Sequence, residues 1–199
     1  MQITQDLKWN NHITDKSSSA MRRWYNLSRA TRINDPNALI ILYKSLVRPI
    51  LEFPSIIFNP INQGLISKLE KIQRRITRNI LFKCSQGNVK MKYEDRLKFF
   101  KINSLEERRN KLDVMYYFKI INGLVKLEES KIPKIRQHIG TRNQNKMAHH
   151  RFARLLVRRQ SYFIRAPKLY SKLPSFITDS TSTYDFNSRI KKLNFVVTR

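Results

Sequence analysis

Apolar residues recur along this chain mostly at helical intervals, after one short stretch in which Ile3, Leu7 and Trp9 alternate with polar neighbours. That stretch, over 1–13, reads as a single strand with no neighbouring strand to pair with. An orphan strand at the first residue carries the expectation that the chain begins partway through a larger architecture. A first helix is expected over 14–32, with Met21, Trp24, Tyr25 and Leu27 toward the core. Asp35-Pro36 then marks the start of a second, because Asp caps while Pro occupies the first helical position without losing a needed donor. Over 39–51 this helix is apolar on almost every side, broken by Lys44, Ser45 and Arg48, so it reads as the buried central helix. Pro49 removes one backbone bond and kinks it. Pro54 and Pro60 bracket a turn-prone segment.

The third helix, over 65–81, is the clearest amphipathic one. At about 100° per residue, Leu65, Leu69, Ile72, Ile76 and Ile80 share one side. Lys68, Lys71, Arg75 and Arg78 share another, at spacings of three, four and three. That line of cations is either an ordinary solvated face or a phosphate-contacting one, and the absence of acidic partners along it favours phosphate.

After a loop at 85–88 comes a helix over 92–100. Ser104 and Glu107 form a capping box, opening a longer helix to 121 that stops at Asn122-Gly123. On it Arg109 and Asp113 are four apart and pair for ~0.3 kcal/mol if exposed. The stretch 114–121 is apolar nearly all round and reads as buried. Residues 124–150 are polar and basic and read as a long loop. A helix resumes at Arg151, with Arg151, Arg154 and Arg158 on one side and Arg159 beside them. Pro167 and Pro174 fit a short helical turn between them, and 185–196 forms a terminal helix. The fold class is therefore mainly α.

Charge changes the picture most. Forty Lys+Arg against fourteen Asp+Glu leave a formal net charge of +26 on 199 residues. A surplus of that size points to a polyanionic partner, most simply nucleic acid. Its distribution is uneven, since no Asp or Glu occurs from Ser130 to Thr178. The hydrophobic fraction of 41% is enough for a packed core. No signal pattern opens the chain, and its longest apolar run is far too short for a bilayer crossing. The expected product is soluble, intracellular and without a membrane or small-molecule partner.

The chemistry-bearing residues are few. One cysteine, Cys84, excludes an intrachain disulfide and argues against structural zinc; it reads as a small, partly buried residue at a helix end. His149-His150 are adjacent, share no helix face and have no nearby carboxylate, so no metal is expected there. Polymerisation of nucleotides needs carboxylates holding two metal ions, yet no adjacent Asp pair occurs anywhere. Glu94-Asp95 reads instead as a solvated pair near a helix start, favoured by the helix dipole. No catalytic residue and no cofactor is expected in this chain. Arg22-Arg23-Trp24-Tyr25 sets cations beside aromatics that either stack on an exposed base or, for Trp24 and Tyr25, serve as core. Core is the favoured reading.

Several segments together resemble a known family. Leu42-Tyr43-Lys44-Ser45-Leu46-Val47-Arg48-Pro49-Ile50-Leu51-Glu52-Phe53, followed by Leu69-Glu70-Lys71-Ile72-Gln73-Arg74-Arg75, resembles the segment just after the catalytic palm in reverse transcriptases of non-LTR, LINE-type retrotransposons. Upstream, Asp6-Leu7-Lys8-Trp9-Asn10-Asn11-His12-Ile13 is similar to the passage from the last palm strand into the thumb. Downstream, Tyr93-Glu94-Asp95-Arg96-Leu97, Ser104-Leu105-Glu106-Glu107-Arg108-Arg109, Phe118-Lys119-Ile120-Ile121-Asn122-Gly123 and Leu173-Pro174 follow in the family's order.

The resemblance implies a palm remnant at 1–13, a three-helix thumb at 14–84, and a post-thumb helical region at 85–199 with a basic loop at 124–150. It implies an RNA-directed DNA polymerase family whose catalytic Asp residues and magnesium ions belong to a palm absent from this chain, so inactivity alone is expected. What remains is backbone-directed binding of RNA, DNA or an RNA–DNA hybrid, in the nucleus or a cytoplasmic ribonucleoprotein. The expected contacts are Lys68, Lys71, Arg75, Arg78, Arg22, Arg23, Arg151, Arg154, Arg158 and Arg159. The alternatives are a stand-alone nucleic-acid-binding protein derived from such an element, or a basic module that meets an acidic protein.

Overall fold

A computed structural model of the chain describes residues 9–87, 89–128, 135–136, 147–148 and 154–193. The protein is mainly helical, as its hydrophobic spacing requires. It divides into two compact units, one built from residues up to Pro54 together with Pro60–Glu106, the other from Ser55–Asn59 together with Glu107 onward. The first unit thus runs past the expected division at 84/85. The cause is visible at Glu70 and Gln73, whose hydrogen bonds tie residues 93–105 to the preceding helices.

In the first unit, α1 spans Asn10–Ala30. Most of the expected strand lies outside the described residues, but its last residues are already helical. The Ile13 amide donates to Trp9 O at 2.9 Å, and Ile13, Ala20, Met21 and Trp24 recur on one buried stripe. Asp35 caps α2 (Pro36–Leu42), accepting from the amides of Asn37 at 3.3 Å and Ala38 at 2.8 Å. The helix then widens into a π-helical turn at Tyr43–Val47, where the Arg48 amide reaches back to Tyr43 O, before α3 (Arg48–Glu52). Pro49 explains the interruption. In an uninterrupted helix its ring would crowd the Ser45 carbonyl; placed in the first turn of α3, its missing donor costs nothing. This segment is not buried all round. Leu39, Ile40, Tyr43, Val47 and Leu51 face inward, whereas Ile41 and Leu46 are exposed.

Asn62 opens α4 (Gln63–Ser85) by accepting from the Gly64 amide at 2.8 Å. The core stripe of α4 is Ile66, Leu69, Gln73, Ile76 and Ile80, with Glu70 and Thr77 buried beside it. Leu65 and Ile72 are only half-buried, so the stripe is turned relative to the one the apolar residues alone indicate. The reason is Gln73, whose amide is satisfied in the interior. Tyr43 Oη donates to Gln73 Oε1 at 2.7 Å, and Gln73 Nε2 donates to Tyr93 Oη at 2.9 Å and Asn103 O at 3.0 Å. Tyr93 Oη in turn donates to Glu70 Oε1, and Glu70 Oε2 accepts from the Leu105 amide at 3.0 Å. Tyr93 begins α5 (Tyr93–Phe99) and Leu105 begins α6 (Leu105–Ile121), so one polar network joins the π-helical turn, α4, α5 and α6.

In the second unit, α6 packs Val114, Tyr117, Phe118 and Ile120 against Tyr162, Ala166 and Tyr170 of α8 (Tyr162–Tyr170), Ile177 of α9 (Ser175–Thr178), and Phe186 and Ile190 of α10 (Thr183–Lys192). Phe118 and Phe186 stack with centroids 4.1 Å apart. Before α8 comes a short helix, α7 (Leu156–Gln160). Pro167 lies inside α8 rather than beside a separate turn. Pro174 precedes α9, and Ser182 caps α10 by accepting from the Asp185 amide at 3.1 Å. Within the expected loop at 124–150, Ile135–Arg136 (β1) pairs antiparallel with Met147–Ala148 (β2). Arg109 and Asp113 are both fully buried, so the exposed-pair estimate for them does not apply. Asp113 binds Arg165, Nε to Oδ2 at 2.8 Å.

Candidate nucleic-acid interface

The network around Gln73 sets the rotation of α4 and thereby what it shows to solvent. Lys68, Lys71, Arg75 and Arg78 are all exposed, along a line of about 15 Å at the rise of an α-helix. Glu70, the one acidic residue of α4, is buried away from that line. The cations therefore have no carboxylate on their own helix to neutralise them.

Helix α1 lies alongside, pointing the same way. Lys68 Nζ donates to Thr14 Oγ1 at 3.4 Å, the Arg75 guanidinium sits 5.7 Å from the Tyr25 ring centroid, and Lys83 Nζ donates to Ser28 O at 3.1 Å and Thr31 O at 2.9 Å. Residue numbers on the two helices rise together through these contacts, which is what parallel neighbours require. The exposed Arg22 and Arg23 of α1 are thus on the helix adjoining the α4 line. Both edge a surface depression shared with Ser19, Asn26, Leu27 and Ala30, and Arg22 donates to Ser19 Oγ at 3.4 Å. Arg29 adds a further exposed cation to this side of α1.

Six of the ten expected contact residues therefore occupy two neighbouring helices of the first unit. The others belong to the second. Arg158 and Arg159 are exposed on α7, and Arg154 is exposed but precedes the helix, which starts only at Leu156. Arg154 and Arg158 accordingly do not share one helical face. Arg151 lies outside the described residues, as do His149 and His150.

The aromatic pair of α1 divides. Trp24 is buried at 1% exposure, while Tyr25 is 38% exposed and faces Arg75. Sequence reading grouped both with the core; their adjacency alone was the signal that they point in different directions on a helix. It also passed over Phe82, which is 67% exposed and lies seven residues beyond Arg75, close to the same side of α4. Arg74 was missed as well. Its guanidinium lies 4.8 Å from the Tyr93 ring centroid, with Arg96 at 5.5 Å. Lys83, one more cation of α4, is engaged with carbonyls at the end of α1 and is not part of the outward line.

The remaining reactive groups fit structural roles. Glu94 and Asp95 are exposed in the first turn of α5, where the helix dipole favours them. Burial pushes the Cys84 thiol above its ordinary range, which disfavours a nucleophilic thiolate. Among the described residues no group of three His, Cys, Asp or Glu side chains could hold a metal ion. No described helix is long and apolar enough to cross a membrane.

Comparison with known proteins adds one relative. A protein of Caenorhabditis elegans described as uncharacterized protein B0403.1 is 27% identical to this chain over 117 residues, 59% of this chain and 58% of the relative. The chain thus matches a little over half the length of that relative. No family model and no solved structure matches.

Proposed function

We propose that this chain is the thumb and post-thumb portion of a non-LTR retrotransposon reverse transcriptase, binding nucleic acid through the phosphate backbone and carrying no polymerase chemistry of its own. The ordered segments from Trp9 to Leu173-Pro174 support the kinship. The observation that carries the binding role is the exposed line Lys68, Lys71, Arg75 and Arg78, beside Arg22 and Arg23, with the acid of α4 turned inward. Rigid helices displaying cations suit phosphate positioning, and they carry no base-edge code. The ligand is RNA, DNA or a hybrid, met in the nucleus or in a cytoplasmic ribonucleoprotein. A stand-alone binder descended from such an element would use the same face.

An electrophoretic shift series tests the reading. With about six phosphates contacted, affinity falls roughly a thousandfold between 50 and 200 mM salt. Reversing Lys71, Arg75 and Arg78 to Glu weakens binding to every sequence alike and lowers the magnitude of the log–log salt slope by about 2.7. Unchanged affinity and slope in that variant would exclude α4 as the contact face. Binding of an acidic protein, with no oligonucleotide retained at low salt, would favour the interaction module instead.

A further inference from the structure

We propose that the basic face of α4 takes single-stranded nucleic acid, with Tyr25 and Phe82 as platforms for unpaired bases. This inference rests on the backbone-binding reading and narrows its ligand. Backbone charge alone binds any strand, paired or not. Exposed rings placed among the cations add something a duplex cannot use, because its bases are already stacked on one another. Tyr25 stands at the seam between α1 and α4, with the cations of Arg22 and Arg29 on its own helix and Arg75 across from it. The Arg75 guanidinium against the ring leaves the phenol in a cation–π contact and still 38% exposed. A base laid on the open part of the ring would extend that stack, while its flanking phosphates meet the charges on either side.

Phe82 repeats the arrangement further along. It follows Arg78 by one turn and Arg75 by two, at 67% exposure, and Lys83 beside it is held on α1. About 10 Å of helix rise separates the levels of Arg75 and Phe82, room for more than one nucleotide of an extended strand. An apolar ring so open at the end of a cationic line matches a polyanion with free π-faces.

The experiment compares three fluorescent ligands of about 20 nucleotides: oligothymidylate, an abasic sugar-phosphate strand of equal charge, and a duplex. The full-length protein is expected to bind oligothymidylate at least about tenfold more tightly than the abasic strand. Y25A and F82A each weaken oligothymidylate about tenfold, leaving the abasic strand and the salt slope unchanged, while Y25F keeps wild-type affinity. Far-UV ellipticity confirms that both alanine variants stay folded. Equal affinity of wild type for the base-bearing and abasic strands, equal losses on both, or preference for duplex overturns the stacking proposal while leaving backbone binding standing. Failure to bind any of the three overturns both.

Discussion

Asp113 shows how much a single side chain depends on its surroundings. Its carboxylate is fully buried, bound by Arg165 Nε at 2.8 Å and Nη2 at 3.1 Å and by Asn59 Nδ2 at 2.8 Å. The same guanidinium reaches Ser55 O at 3.1 Å, and Tyr162 Oη donates to Asp113 O at 3.0 Å. Removing one member leaves the other charge buried and uncompensated. Asp113→Ala is therefore expected to destabilise the protein by about 3–5 kcal/mol in urea unfolding followed by ellipticity. A loss under about 1 kcal/mol would mean the network is dispensable. None of this was legible from helical spacing, which offered Asp113 only a local partner four residues away. Arg165 is 52 residues distant in the chain.

At the level of elements, what is local is what the sequence disclosed. Asp35-Pro36 identifies the start of α2 because a cap and a pre-set φ act within one turn. Asp35→Ala should cost ~1 kcal/mol in the same unfolding measurement, with Asp35→Asn close to neutral; equal behaviour of the two would show the cap is idle. The exposed cations of α4 were equally readable, since Lys and Arg are rarely fully buried unless a partner holds them there. The rotation of α4 was not. A hydrophobic pattern places Ile72 inward and Gln73 outward; the fold does the reverse at Gln73 because Tyr43, Tyr93 and Asn103 supply its hydrogen bonds. The π-helical turn before Pro49 and the helical setting of Pro167 likewise depend on packing, which periodicity does not contain.

At the scale of the whole molecule, buried tyrosines recur in both compact units among the described residues. Tyr43, Tyr93, Tyr117, Tyr162 and Tyr170 all have phenols raised above the ordinary range by burial first. Nearby Glu70 adds to the effect at Tyr93 and Asp113 at Tyr162, and Tyr170 is pushed up to about 12. The unfolded chain releases these protons near pH 10 while the folded one retains them. Stability is thus fully present below that value and declines as pH rises above it. A phenolate absorbance titration should show these five buried phenols ionising only as ellipticity collapses. Smooth titration of that buried set with the helices intact would contradict the expectation.

Lys83 separates two kinds of positive charge on one helix. Its ammonium group caps carbonyls at the end of α1 through short-range donation to Ser28 and Thr31, whereas Lys71 and Arg78 stand in open water. Dissolved ions compete efficiently only with the second kind. If α4 binds a strand as proposed, concentrated buffer should wash that strand away while the paired helices hold their alignment, leaving the protein folded and ready to bind again.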